Sequence, residues 1–407
     1  MDFEPWWLIS LPVLFGLGWV AARVDIRQML SETRSLPDSY FKGLNFILNE
    51  EPDRAIDAFV EVAKLDPETT ELHFALGSLF RRRGEMERAI RVHQSLLARA
   101  DLPQAEREHA QHELAQDFLK AGMLDRAEQA FLQVHNTARY SVAAVRALIR
   151  IYESEHDWPK AIEAVKKLRA LVDEPVPQLV HYQCEQAQTA LSSKPPAIDV
   201  AIAALDAADN AANALAAKHV SQASQARIAM LRAAVARASG QPAQERAWLE
   251  SVLAQAPEYA GLVANDLLNV CRVTNQAGQA LALLKAHYMR HPTLDMFNVV
   301  FRELRVQEGY VPAWAFAREA LRAHPSLLGL DRLLEAELAS DDTPKTGTAI
   351  APDADLSLLR SLIHKHTQRL DRYACSHCGF EARHYYWQCP GCNAWETYPP
   401  RRLEEIR

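Results

Sequence analysis

At 407 residues the chain is longer than one hydrophobic core ordinarily supports, so several units or a repeat array are expected. Its 49% apolar and 24% charged residues are those of a folded protein, and 14 glycines beside abundant alanine favour helix over sheet. A formal charge of -7 argues against a nucleic-acid binder.

The first element is an uncharged run from Pro5 to Ala22 in "PWWLISLPVLFGLGWVAARVDIR". Its length suits a bilayer span, and Trp6, Trp7 and Trp19 suit the two interfacial belts. Asp2 and Glu4 precede it where a cleaved signal peptide would carry positive charge. Arg23, Arg27, Arg34 and Lys42 follow it, so the reading is a transmembrane anchor over residues 1–25 with the bulk of the chain in the cytoplasm.

From Leu36 the sequence repeats. Gly43, Phe46, Ala55 and Phe59 recur 34 residues later as Gly77, Phe80, Ala89 and His93. A third set, displaced by 38, is Ala115, Phe118, Ala127 and Phe131; a fourth, at 34, is Ile149, Tyr152, Ala161 and Val165. Small residues at a helix crossing let two backbones approach, and large ones fill the flanks. This is the tetratricopeptide pattern. Later repeats are more worn: those around His181–Leu205 and Gly240–Gln244 are each read with two extra residues in the turn. A last helical pair is expected over Leu294–Leu330. About eight or nine hairpins are expected over residues 36–339, stacked as a right-handed solenoid.

Such an array is a binding surface with no catalytic constellation of its own. Its first helices are expected to line the concave face through Tyr40, Leu44, Ile47, Phe74, Arg81, His112, Arg146 and Arg150, where arginines are suited to clamping a partner's carboxylates. Residues 340–371 read as a linker and then an amphipathic helix, with Leu356, Leu359, Ile363, His366 and Leu370 along a side that docks the terminal module onto the array.

Residues 372–407 hold the most specific chemistry, "CSHCGFEARHYYWQCPGC". Each Cys-x-x-Cys turn points two sulfurs one way, so Cys375, Cys378, Cys389 and Cys392 complete a tetrahedral site. Four thiolates leave no open position, so the site is structural; zinc is expected, and iron is the second metal that such a site accepts. Gly379 and Gly391 stand where positive φ is expected. Tyr385, Tyr386, Trp387 and Trp395 are expected to form the module's core and its contact with the array. Five basic and four acidic residues from Arg372 to Arg407 give nucleic acid no electrostatic footing. The two remaining cysteines, Cys184 and Cys271, read as buried small hydrophobes, and nothing suggests a disulfide framework.

The order of anchor, array and metal knot, with "YFKGLNFILNEEPDRAIDAF", "HYQCEQAQ" and "CGFEARHYYWQCPGCNAW", resembles the lipopolysaccharide assembly protein B (LapB, also YciM) family. The resemblance covers the whole chain and places the family's metal ligands on the same four cysteines. It implies a non-enzymatic adaptor on the cytoplasmic side of the inner membrane. Such an adaptor promotes degradation of the LpxC deacetylase by the FtsH protease and answers to the inner-membrane regulator PbgA (YejM). It also organises lipopolysaccharide assembly proteins; a homodimer is left open. A generic membrane-tethered scaffold and a rubredoxin-like electron carrier are the alternatives.

Overall fold

The computed structural model describes residues 51–65, 70–172, 174–215, 221–338 and 353–406, with a few positions between 15 and 49. No helix among the described residues is long and apolar enough to cross a membrane, and the run from Pro5 to Ala22 lies almost wholly outside them.

The described chain is mostly helical. In order it forms α1 (Pro52–Leu65), α2 (Thr70–Arg83), α3 (Met86–Leu97), α4 (Gln104–Lys120), α5 (Leu124–Val134) and α6 (Ser141–Glu155). There follow α7 (Trp158–Leu171), α8 (Gln178–Ser192), α9 (Ile198–Asn213), α10 (Gln222–Ala238), α11 (Pro242–Gln255) and α12 (Ala260–Val273). Then come α13 (Ala277–Arg290), α14 (Leu294–Gln307), α15 (Tyr310–Ala323), α16 (Leu327–Leu338) and α17 (Asp353–Thr367). The terminal module adds an antiparallel pair, β1 (Tyr373–Ala374) and β2 (Glu381–Ala382), with Tyr373 opposite Ala382, and a closing turn of helix, α18 (Leu403–Ile406). Two compact units divide between Ala147 and Leu148.

Helices pair as hairpins: α2 with α3, α4 with α5, α8 with α9, and so on to α14 with α15. The expected pair near the end of the array therefore occupies Leu294–Ala323. Most turns between paired helices share one geometry. The residue that leaves the first helix takes positive φ, as at Gly84, Gly122, Gly240 and Gly309, with His156 and Asn275 in the same role. The next amide then reaches back to close the turn, Glu85 N to Phe80 O at 2.9 Å and Gln241 N to Ala236 O at 2.9 Å.

That geometry corrects one register. The turn at Gly240 carries no extra residues, and Glu245 stands where Ala89 and Ala127 stand in their repeats. The carboxylate is accepted there because Arg237 Nε donates to it at 2.6 Å. A reading that required a small residue at this place had to add two positions to find one. In the α8–α9 hairpin the longer turn is real: Ala197 N reaches Ala190 O at 2.9 Å across Lys194–Pro196.

The recurring small residues do what close helix packing requires. A Cβ on Gly43 would lie 2.6 Å from the Phe59 ring, and one on Gly77 would press into the ring of fully buried His93. Gly77→Ala is expected to lower unfolding stability by about 1–3 kcal/mol, measured by urea denaturation, because that ring has no room to retreat. Cys184 and Cys271 are both buried, as expected.

Helix α17 lies against α16, the last helix of the array. It packs on α16 through polar groups: His364 Nδ1 lies 2.9 Å from Asp331 Oδ2, and Arg360 lies 3.4 Å from Glu335. Leu359 and His366, expected on the docking side, are exposed, as are Leu358 and Leu362. Leu356, Ile363 and Leu370, the other three residues of the expected side, are half-buried, and almost wholly buried Asp331 meets His364 and Thr367 of this helix.

Candidate metal centre and its docking face

Two knuckles build the metal site. Gly379 N donates to Cys375 O at 2.9 Å and Asn393 N to Cys389 O at 2.8 Å, folding each Cys-x-x-Cys into a tight turn. The residue after each second cysteine takes positive φ, Gly379 at 76° and Asn393 at 56°. Gly391 does not. Its small size serves close packing instead: a Cβ there would lie 3.2 Å from Phe380, a tight contact. Gly391 N in turn lies 3.4 Å from Cys389 Sγ.

All four sulfurs lie within 4.8 Å of one another. Cys375 and Cys392 Sγ are 3.8 Å apart and Cys378 and Cys389 Sγ 3.6 Å apart. A tetrahedron with metal–sulfur bonds of about 2.3 Å has edges of about 3.8 Å, so the four thiols fit a tetrahedral ion. The donor set suits zinc and iron alike, and it leaves no position for a water or substrate. When bound, the ion supplies a cross-link; Tyr373 and Tyr398, both buried, pack around Cys375 and Cys389.

An aromatic contact between knot and array was expected from the sequence; the array residues that receive it, within the second compact unit, were not. Glu396 follows the second knuckle and enters the array. Its Oε1 accepts hydrogen bonds from Ser221 Oγ at 2.5 Å and Ser224 Oγ at 2.7 Å and lies 2.7 Å from His181 Nε2. Arg227 Nη1 lies 3.1 Å from His181 Nδ1, so that nitrogen is the acceptor and Nε2 carries the proton, an assignment made by the network. The Trp395 indole stacks on the His181 ring at 4.9 Å and donates Nε1–H to Glu153 Oε1 at 3.0 Å. Tyr182 donates to the same Glu153 oxygen at 2.5 Å. Arg227, 1% exposed, pairs with Glu185 and lies over both Trp387 at 5.5 Å and Trp395 at 5.4 Å. Tyr259 stacks on Trp387 at 5.8 Å and meets Tyr385 edge-on. Tyr385, Trp387 and Trp395 thus hold the module on the array, while Tyr386 is exposed.

The far end is tied by charge and by helix starts. Arg402 makes two bonds to Asp295, from Nη2 at 2.8 Å and from Nε at 3.0 Å, and Tyr373 OH donates to that carboxylate at 2.5 Å. Glu405 accepts the Leu294 amide at 2.9 Å, and Glu404 accepts those of Leu327 at 2.6 Å and Leu328 at 3.0 Å. The module therefore caps the starts of α14 and α16 with its own carboxylates.

Burial holds His181 below the ordinary imidazole value of 6.5. Burial also opposes ionisation of Glu396, but the hydrogen bonds from His181, Ser221 and Ser224 outweigh it and bring the carboxyl down to about 2. A protonated His181 would turn an N–H toward Arg227. As pH falls below about 6.5 the undocked form takes up a proton that the docked form refuses, so docking weakens; below 4.5 Glu396 adds a loss of the same sign. The module is expected to become progressively more protease-sensitive as pH falls below 6.5. Limited proteolysis across that range measures it.

In the first compact unit the structure brings together three of the residues expected on the binding face: Phe74, Arg81 and His112. Phe74 stacks on His109 at 4.1 Å, His109 lies 6.0 Å from Tyr140, and Tyr140 stacks on His112 at 4.6 Å. Arg81 pairs with Glu113 and, at 2.8 Å, with Asp117, while His93 Nδ1 lies 2.5 Å from the other Asp117 oxygen. Burial lowers the pKa values of His109 and His112. Sequence reading missed His109, Glu113 and Asp117; the spacing of His109, His112, Glu113 and Asp117 along α4 was the available sign. Arg146 and Arg150 are exposed on α6; Tyr40, Leu44 and Ile47 lie outside the described residues.

Comparison with known proteins gives matching results. A family model described as a rubredoxin metal binding domain matches residues 373–400, and a tetratricopeptide repeat model matches residues 72–108. Lipopolysaccharide assembly protein B of Escherichia coli (strain K12) is 28% identical over 396 residues, 97% of each chain. That of Haemophilus influenzae is 26% identical over 409 residues, 98% of each chain. Among solved structures, a tetratricopeptide repeat protein from Parabacteroides merdae matches at 11% identity and a TM-score of 0.31, covering 73% of this chain and 98% of that one. Knot, repeats and length agree, and the chain resembles the lipopolysaccharide assembly protein B family from end to end.

Proposed function

We propose that this protein is a non-catalytic adaptor that regulates lipopolysaccharide synthesis from the cytoplasmic face of the inner membrane. The observation that carries this reading is the end-to-end similarity to proteins named for lipopolysaccharide assembly, knot included. A single anchor over residues 1–25 holds the array near membrane partners, which raises their effective concentration. In the finer form of the proposal the array brings the LpxC deacetylase to the FtsH protease, under control of PbgA (YejM), and gathers lipopolysaccharide assembly proteins. The uncharged run from Pro5 to Ala22, with arginines after it, supports the anchor and its orientation. Tetratricopeptide pairing of helices supports the holding role.

The test is the half-life of LpxC after depletion of the protein. A several-fold lengthening is expected; an unchanged half-life would leave only a tethered scaffold. Charge reversal of Arg146 and Arg150 together is expected to lengthen it in part, read by the same pulse-chase.

A further inference from the structure

The four sulfurs of the knot differ in exposure. Cys375 and Cys389 are buried, at 3% and 0%, whereas Cys378 is exposed and Cys392 half-buried. The buried pair is also backed by the module itself: Thr397 Oγ1 lies 3.2 Å from Cys375 Sγ and Gly391 N 3.4 Å from Cys389 Sγ. Ser376, His377, Gly379 and Phe380, on both sides of Cys378, are exposed as well, so the first knuckle is open to small solutes. The second knuckle leads instead into Trp395 and Glu396, which hold the module on the array.

The shortest sulfur contacts cross between the knuckles, and each joins an accessible sulfur to a buried one. Cys378 Sγ lies 3.6 Å from Cys389 Sγ, and Cys392 Sγ lies 3.8 Å from Cys375 Sγ. An oxidant that reaches Cys378 therefore meets a thiolate with a second sulfur directly behind it. Exposure decides which sulfur a solute meets first, and the neighbouring sulfur decides what the oxidised one becomes.

We propose that Cys378 is a peroxide-modification site with Cys389 as its resolving partner, and that the disulfide they form releases the metal ion. The Cys378 thiolate attacks one oxygen of hydrogen peroxide; the O–O bond breaks, hydroxide leaves, and the sulfur becomes a sulfenic acid. The Cys389 thiolate then attacks that sulfur, the S–S bond forms and a second hydroxide leaves. The sulfurs lose two electrons, the peroxide oxygens gain them, and two protons from solvent complete two waters. Closing the sulfurs from 3.6 Å to about 2.05 Å spends two of the four ligands, and Cys375 with Cys392 is too small a donor set to keep zinc.

The test uses the full chain in detergent, loaded with zinc and given one equivalent of hydrogen peroxide beside a chromogenic chelator. About one zinc is expected to be freed per peroxide consumed, with a Cys378–Cys389 bond found by mass spectrometry of the digest. Buried Cys184 and Cys271 should stay reduced, and a dithiol with added zinc should restore the site. Cys378→His keeps a donor set that zinc accepts while removing the exposed thiolate, so its zinc loss should be about tenfold slower. Cys392→His should lose zinc close to the native rate. A first disulfide within one knuckle or between Cys375 and Cys392, zinc retained after the peroxide is consumed, or native-rate loss from Cys378→His overturns the proposal. If either histidine variant fails to hold zinc, the disulfide map of the native chain decides by itself.

Discussion

Serine at Cys375 and Cys378 is expected to strip the metal and release the whole terminal module. The four sulfurs hold a segment whose regular structure is two strands of two residues and one turn of helix, too little to stand by packing alone. A structural zinc site contributes apparent binding energies of about 10–16 kcal/mol to folding, so its loss exceeds anything this small core offsets. The effect should not stop at residue 372. With the knot undone, Glu396 leaves His181, and the starts of α14 and α16 lose Glu405 and Glu404. Metal analysis should show loss of the ion, proteolysis should remove residues 373–406 first, and, under the proposed function, LpxC should accumulate. Full regulation by a metal-free protein would contradict the account. The visible spectrum of the purified protein separates the metals, since a zinc site is colourless and an iron–thiolate site is not.

Arg227→Ala should undock the module while sparing the metal. The guanidinium is enclosed by Trp387, Trp395, His181 and Glu185, and alanine leaves a gap beside two indoles, an uncompensated Glu185 and an unmet His181 nitrogen. Breaking a buried pair in this way costs about 3–5 kcal/mol. Arg227→Lys should recover little, because a compact ammonium cannot stack flat between two rings. The diagnostic combination is a lowered unfolding midpoint and early cleavage near Asp371 with stoichiometric metal retained. An unchanged midpoint would mean that these contacts do not hold the module in place.

How much of this was legible depends on distance along the chain. The knot was readable because its four ligands lie within 18 residues and their spacing is itself the chemistry. The hairpins were readable where glycine or alanine marks the crossing, as at Gly77 and Ala115, and misread where Glu245 takes that place. A charged residue can occupy a crossing only if a partner such as Arg237 neutralises it, and sequence periodicity does not show partners. The aromatic side of the module's seat was readable in Tyr385, Trp387 and Trp395, whereas the array residues that receive it were not. Glu396 and His181 are 215 residues apart, and each alone looks like an ordinary surface residue.

The contact between Glu396 and the α8–α10 helices has a consequence for how the protein is made. Helices from α8 to α16 emerge from the ribosome well before the segment that caps and clamps them. A chain halted before residue 396 therefore exposes the Ser221–Arg227 stretch and the open start of α16. Such a nascent product presents unfinished backbone and an uncovered guanidinium to any housekeeping protease nearby. Completion of translation brings Glu396 and Glu404 to their seats and closes that window.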